Sequence, residues 1–240
     1  KWRNEVFAGG GKIYEQTAAL LFNVDASTIT KGGENYHLRA KGKIAELACG
    51  YGIGADAFST RYDMDVEEAQ ELIANWRGIN PAVVQFWHES AALFKNIVLG
   101  FTDYGYVAHG KIRMARNGRN IEVTLPSGRK LFYLNVRMEG TELRYSIGGS
   151  MGFKESKAYG GKLVENFTQA IARDFLANAL LSLEKKGFKV VMHIHDEVVI
   201  EAEQQQTLEE VNEILQKNPS WAPDIVLRAA GFENSFYMKD

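Results

Sequence analysis

Cysteine is almost missing from this 240-residue chain: Cys49 stands alone. An internal disulfide framework is therefore excluded, and a reducing compartment fits. No apolar run approaches the ~20 residues of a membrane-spanning helix, and the opening residues do not read as a signal peptide. Net charge is only −2, so no global positive field advertises a nucleic-acid partner, although a local basic stripe remains open. There is no internal repeat and no low-complexity linker. What is present is a 45% hydrophobic composition, enough for one large domain or two small ones with a proper core. The expectation is a soluble globular protein of the cytosol, or a virion-associated one acting inside a cell.

The chain begins with Lys1 rather than methionine, and KWRNEVF reads as the middle of an amphipathic helix with Trp2, Val6 and Phe7 on one side. The expectation is a fragment with something upstream. KIYEQTAALLF is helical by its apolar spacing, and the polar DASTITKGGENYH separates it from LRAKGKIAELACGYGIG, a helix that ends where glycines 50, 52 and 54 crowd together. Asp63 or Asp65 caps DVEEAQELIANWRG, and Pro81 opens PAVVQFWHESAALFKNIVLG. Strands follow in GYVAHGKIRMA, NGRNIEVTLPSGRKLFYLNV and LRYSIG, with turns at Asn117-Gly118 and Ser127-Gly128. A long helix, KLVENFTQAIARDFLANALLSLEKKG, stops at Gly187. The tail reads as a helix, TLEEVNEILQK, and a final strand, DIVLRAAG. The first 100 residues are thus expected to be helical and the rest mixed.

Two constellations carry chemistry. VVMHIHDEVVIEAE, residues 190–203, places His193, His195, Asp196 and Glu197 within an apolar run. As a strand it puts His193, His195 and Glu197 on one face; with a tight turn at His195-Asp196, both stand at the tip. An unpaired buried carboxylate calls for a metal or a cation, whereas a solvated loop calls for neither. No other His or Cys lies at a zinc-ligand spacing. The second constellation is Arg39, Lys43, Leu47 and Tyr51, spaced by four and followed by Gly52. At about 1.5 Å per residue this stripe spans about 18 Å, a length that suits a nucleoside triphosphate: cations for phosphates, an apolar residue for the sugar, a ring for the base. The alternative is two solvated cations with Leu47 and Tyr51 in the core. The basic hairpin GKIRMARNGRN, with Lys111, Arg113, Arg116 and Arg119, is either a duplex-backbone contact or a charged edge that resists aggregation.

Together, RxxxKxxxLxxxYG and the distant VMHIHDEVV resemble the family A DNA polymerases, the DNA polymerase I family, in its phage and prophage branch. GKIYEQTA, RAKGKIAELACGYG, LPSGRKLFY, YGGKLVENFTQAIARD and an ending in an aromatic, Lys and Asp follow that group in order and spacing. The resemblance implies an α+β right-hand polymerase piece: a mostly helical fingers subdomain with a hairpin insertion over 1–155, and the C-terminal part of an antiparallel-sheet palm over 156–240, without thumb or first palm strand. Arg39 and Lys43 then match the fingers residues that grip the incoming dNTP, and Tyr51 matches the tyrosine at the templating end. Leu47 stands where most relatives carry Phe or Tyr, and Tyr14 where many have a phosphate-contacting His. Gln169 matches a residue near the primer-template junction; Gly161 replaces an arginine, with Lys162 adjacent. If the basic hairpin is a duplex-backbone contact rather than a charged edge, Arg113 and Arg116 are further DNA contacts.

His195 and Glu197 match residues beside the primer terminus, and Asp196 matches a metal ligand; with Lys43 they form the implied catalytic set. The implied chemistry is attack of a primer 3′-hydroxyl on the α-phosphate, assisted by two Mg²⁺ ions about 3.5 to 4 Å apart. The family's other aspartate, in a DxSxxEAR-type strand, lies just before the segment matching KWRNEVF. An upstream polymerase fragment supplying thumb and first palm strand is therefore the expected partner, with primer-template DNA and dNTP and no membrane. A single-subunit RNA polymerase relative is the neighbouring alternative, against which Glu197 after His195-Asp196 favours DNA; a non-catalytic nucleic-acid-binding remnant is the other.

Overall fold

The computed structural model describes residues 2–149 and 152–238. Lys1 and residues 239–240 of the terminal signature lie outside them. Backbone packing divides the chain into two units, 1–168 and 169–240.

The first unit begins with six helices: α1 (Trp2–Ala8), α2 (Ile13–Phe22), α3 (Leu38–Cys49), α4 (Ala55–Tyr62), α5 (Val66–Ile79) and α6 (Pro81–Leu99). Local chemistry sets their ends. Asp65 caps α5 by accepting the Glu67 N–H at 2.8 Å, and Glu67 and Glu68 sit in the first turn, where the helix dipole favours them. Asp63 instead closes α4 in the left-handed conformation, φ +50°. Pro81 opens α6, and Gly100 ends it at φ +81°. α3 stops at Cys49 with Gly50 as its C-cap, where the glycine cluster begins. α4, and a 3₁₀ turn at Ala26–Ile29, were not expected.

An antiparallel meander follows: β1 (Tyr104–Val107), β2 (Ile112–Asn117), β3 (Asn120–Thr124), β4 (Lys130–Glu139), β5 (Glu142–Gly149) and β6 (Gly152–Ala158), paired in chain order. Both expected turns form, with Gly118 at φ +62° and Gly128 at φ +85°. One face of β1, β2 and β4 packs on α6; a Cβ on Gly105 would lie 2.5 Å from Leu93. The core of this unit is aromatic: Trp76, Phe58, Phe94 and Phe167 are fully buried. Trp76 stacks on Trp87, and Phe94 meets the edge of Tyr133.

α7 (Gly160–Lys185) runs through the boundary at 168/169. The second unit then continues with β7 (Lys189–Ile194), β8 (Glu197–Glu201) and α8 (Leu208–Leu215). Leu183, Phe188 and Ile214 form its core, lined by Val190, Val198, Ile200, Val211 and Leu215. A capping box between Thr207 and Glu210 starts α8. The expected final strand does not exist: residues 225–231 adopt neither helix nor strand. The Asn218 amide donates to the Ile225 carbonyl at 2.8 Å, so a side chain takes an acceptor that a sheet would have used, while Ile225 and Val226 stay exposed. The α+β class holds.

Candidate functional site

α3 divides its residues by face. Gly42, Ala45, Ala48 and Cys49 are buried, while Lys43 and Leu47 face solvent and Arg39 is half-buried. Leu47 is 44% exposed and Tyr51 41%, so neither belongs to the core and the bland alternative for them fails. Tyr51 does not continue the helical stripe: it lies in the turn beyond Cys49. Arg39, Lys43 and Leu47 alone form the helical row.

The close approach of α2 explains how Tyr14 joins this row. A Cβ on Gly42 would sit 2.3 Å from the Tyr14 carbonyl oxygen and 2.8 Å from the Ala18 Cβ, so only glycine permits this backbone contact. The Tyr14 ring consequently lies under both cations, with the Arg39 guanidinium at 5.5 Å and the Lys43 ammonium at 5.8 Å, within cation–π range. Glu15, the next residue on α2, accepts the Arg39 Nε–H at 2.7 Å. Burial opposes the Glu15 carboxylate, but the Arg39 hydrogen bond and charge outweigh it and hold its pKa below the ordinary value. The same hydrogen bond raises that of Arg39. Sequence reading missed Gly42 and Glu15. The small residues Gly42, Ala45 and Cys49, three and four apart, were the available signal for a close helix contact.

Behind the row, Glu46 ties α3 to three other helices. It accepts from Arg3 of α1, from Thr17 Oγ1 of α2 at 3.0 Å and from Trp76 Nε1 of α5 at 3.2 Å. Arg3 also donates twice to Asn80 Oδ1, at 3.0 and 2.8 Å. Charge-assisted bonds of this kind are the stronger ones. Cys49, buried at the end of the helix, has its thiol pKa pushed up to about 12 by burial and is no nucleophile.

The turn after α3 meets the start of α7. Gly52, at φ +74°, abuts Gly161, and a Cβ at 161 would lie 2.6 Å from the Tyr51 carbonyl oxygen. A side chain cannot stand at 161 in this packing. Lys162 is paired with Glu165 at 3.1 Å. On the meander, Arg113 pairs across strands with Thr124 and Arg116 with Ile121, so the two arginines occupy opposite faces of β2. Arg113 lies over the Tyr104 ring at 5.2 Å, and Arg116 pairs with Asp103 at 3.6 Å. The basic hairpin is therefore not one continuous cationic face.

In the second unit, Ile194 pairs with Glu197, which leaves His195-Asp196 as a two-residue hairpin loop. The tight-turn alternative is the correct one. Glu197 shares a face with Ile194, His193 faces the other way with Val198, and a bulge at Val191 shifts the register further back. His195 adopts φ +52°, uncommon for a residue with a Cβ and a form of strain that clusters at functional sites. His195 and Asp196 are exposed, Glu197 half-buried and Gln169 exposed. Among the described residues no group of three His, Cys, Asp or Glu is placed to hold a metal ion. Asp196 fits Mg²⁺ as one hard oxygen ligand, and its neighbours here do not complete a set. No helix among the described residues is long and apolar enough to cross a membrane.

No protein-family model matches the chain. Over its whole length, in an alignment of 252 residues, it is 39% identical to the DNA polymerase of Bacillus phage SP02, and it spans 38% of that relative's length. Among solved structures, the POL domain of Pol1 from M. smegmatis, in complex with DNA primer-template and dNTP, matches 89% of this chain with a TM-score of 0.55. That match covers 32% of the mycobacterial chain at 14% identity, a likeness of fold.

Proposed function

We propose, from the premise that this chain belongs to the family A DNA polymerases, that it is the triphosphate-binding and carboxylate-bearing part of an enzyme for template-directed DNA synthesis. The observation that carries this reading is the solvent-facing row Arg39, Lys43 and Leu47 with Tyr14 beneath both cations. Two cations held 5 to 6 Å from one ring face are pre-ordered for a polyanion, and a triphosphate gains from charge that needs no rearrangement. Leu47 then contacts the sugar and Tyr51 the terminal base pair. Lys43 stabilises charge on the departing pyrophosphate.

Residues 1–155 act as fingers and 156–240 as the C-terminal part of the palm. Lys162, Gln169, Arg113 and Arg116 contact primer-template DNA, and His195 and Glu197 stand beside the primer terminus. Asp196 would hold Mg²⁺, which when bound would neutralise charge developing on the phosphoryl oxygens. A single carboxylate does not fix two ions, so a second aspartate comes from a polymerase segment outside these 240 residues. The relative's greater length supports such a segment.

Primer extension in Mg²⁺, with and without a segment carrying a thumb and a DxSxxEAR-type strand, tests the reading. Synthesis only in the mixture, abolished by Asp196→Ala, is the expected result. Bound primer-template with no synthesis in either tube would instead identify a non-catalytic binding module, and preference for ribonucleotides would point to RNA synthesis.

A further inference from the structure

The meander has a second face of which the proposed polymerase site uses only Arg113. Cross-strand pairing aligns Tyr104, Ala115, Glu122 and Phe132 in one row and Tyr106, Arg113, Thr124 and Lys130 in the next. Residues paired this way project to the same side of a sheet, the side opposite the one that α6 covers. Three aromatic rings stand there, Tyr104 and Tyr106 each 56% exposed and Phe132 57%. Exposed rings clustered on one sheet face cost hydrophobic free energy unless something covers them.

Charge identifies the occupant. Between residues 101 and 134 the sequence holds six Lys and Arg against two Asp and Glu, in a chain whose net charge is −2. The face therefore belongs to a cationic region of an otherwise acidic molecule. Arg113 lies over Tyr104 at 5.2 Å, which keeps its charge beside the ring. Glu122, the one acid in these two rows, is held by Lys130 at 2.7 Å. Tyr104 and Phe132 are three strand spacings apart, about 14 Å, so bases a few nucleotides apart on one strand can reach both. We propose that this face of β1–β4 is a binding platform for single-stranded nucleic acid, on which bases stack upon Tyr104, Tyr106 and Phe132 while Arg113 takes the phosphates. Rings of this kind need free base faces. A duplex, whose bases are already stacked, does not offer them.

The platform is independent of the triphosphate site and is tested without Mg²⁺ or dNTP. Fluorescence anisotropy of the 240-residue chain with a labelled 20-mer of thymidylate at low salt reads the affinity; a 20-mer duplex and an abasic strand of equal length serve as comparisons. Tyr104→Ala/Phe132→Ala is expected to weaken thymidylate binding by at least about tenfold and to leave the melting temperature unchanged, because both rings are exposed. Arg113→Gln is expected to flatten the salt dependence by roughly 0.7 in logarithmic slope, the loss of one phosphate contact on a single strand. Thymidylate affinity that survives the double substitution, or an equal loss for the abasic strand or the duplex, would overturn the proposal.

Discussion

The helix that carries Arg39 is tied from behind into α1, α2 and α5 through Glu46, whereas Asp196 stands at the tip of a two-stranded ribbon. Both positions present charge to solvent, but their supports differ. In the first unit, a row of cations rests on a close helix pair, an aromatic ring and a charge-assisted network. In the second, an exposed carboxylate follows a backbone position with positive φ. The difference teaches that the grip on a triphosphate can be built within one packed unit. The carboxylate turn gets its fixed position from the ribbon and its core, and in the proposed function the remaining metal ligands come from elsewhere.

The comparison breaks most readily at Glu46. Glu46→Leu leaves Arg3, Thr17 and Trp76 without their shared acceptor, and losing one partner of such a network costs about 3 kcal/mol. Chemical denaturation should show that loss, and hydrogen exchange should place it in α1, α2, α3 and α5, with β7 and β8 unaffected. Gly42→Ala comes next. Its methyl group would collide with backbone rather than with a yielding side chain, so about 2 kcal/mol is expected, together with a weakened hold on triphosphate as Tyr14 is pushed away from the cations. An unchanged stability would mean that α2 and α3 are not in the contact described.

His195→Gly acts in the opposite direction. Relief of a left-handed conformation at a residue with a Cβ is worth up to about 1 kcal/mol, so the second unit should become slightly more stable while the assembled enzyme loses activity. The smallest effect concerns Glu15. Its pKa is lowered in the folded protein, so its contribution is fully present above the unfolded value of about 4.3 and is lost as pH falls through the lower folded value. Melting temperatures of the wild type and Glu15→Gln should therefore converge as pH drops below about 4.3, and high salt should narrow their difference at neutral pH, as for other partly exposed pairs.

The helices were largely legible because their ends are written in residues with one strong preference: Asp65 at a cap, Pro81 at a first turn, Gly187 at a stop. The hairpins were legible for the same reason at Gly118 and Gly128. The tail was not, because Ile225 and Val226 are β-branched as a strand requires, yet no neighbouring strand pairs with them. β6 was missed because GFKESKA lacks alternation, and its pairing with β5 decides it. At the site, four-residue spacing found Arg39, Lys43 and Leu47 but carried Tyr51 one turn too far. Gly42 and Glu15 were not read as functional positions, since their roles arise from contacts with residues distant in sequence. The His195-Asp196 turn was posed as one of two geometries, and strand register resolves it.

The most direct test of this division between the two units is triphosphate binding by the 240-residue chain, measured by titration of a fluorescent dNTP in Mg²⁺ against Arg39→Ala/Lys43→Ala and Asp196→Ala. The account predicts binding by the wild type, a loss of at least about tenfold in the double variant as two charge-assisted contacts disappear, and near wild-type affinity in Asp196→Ala. Binding that survives loss of both cations but fails without Asp196 would contradict it.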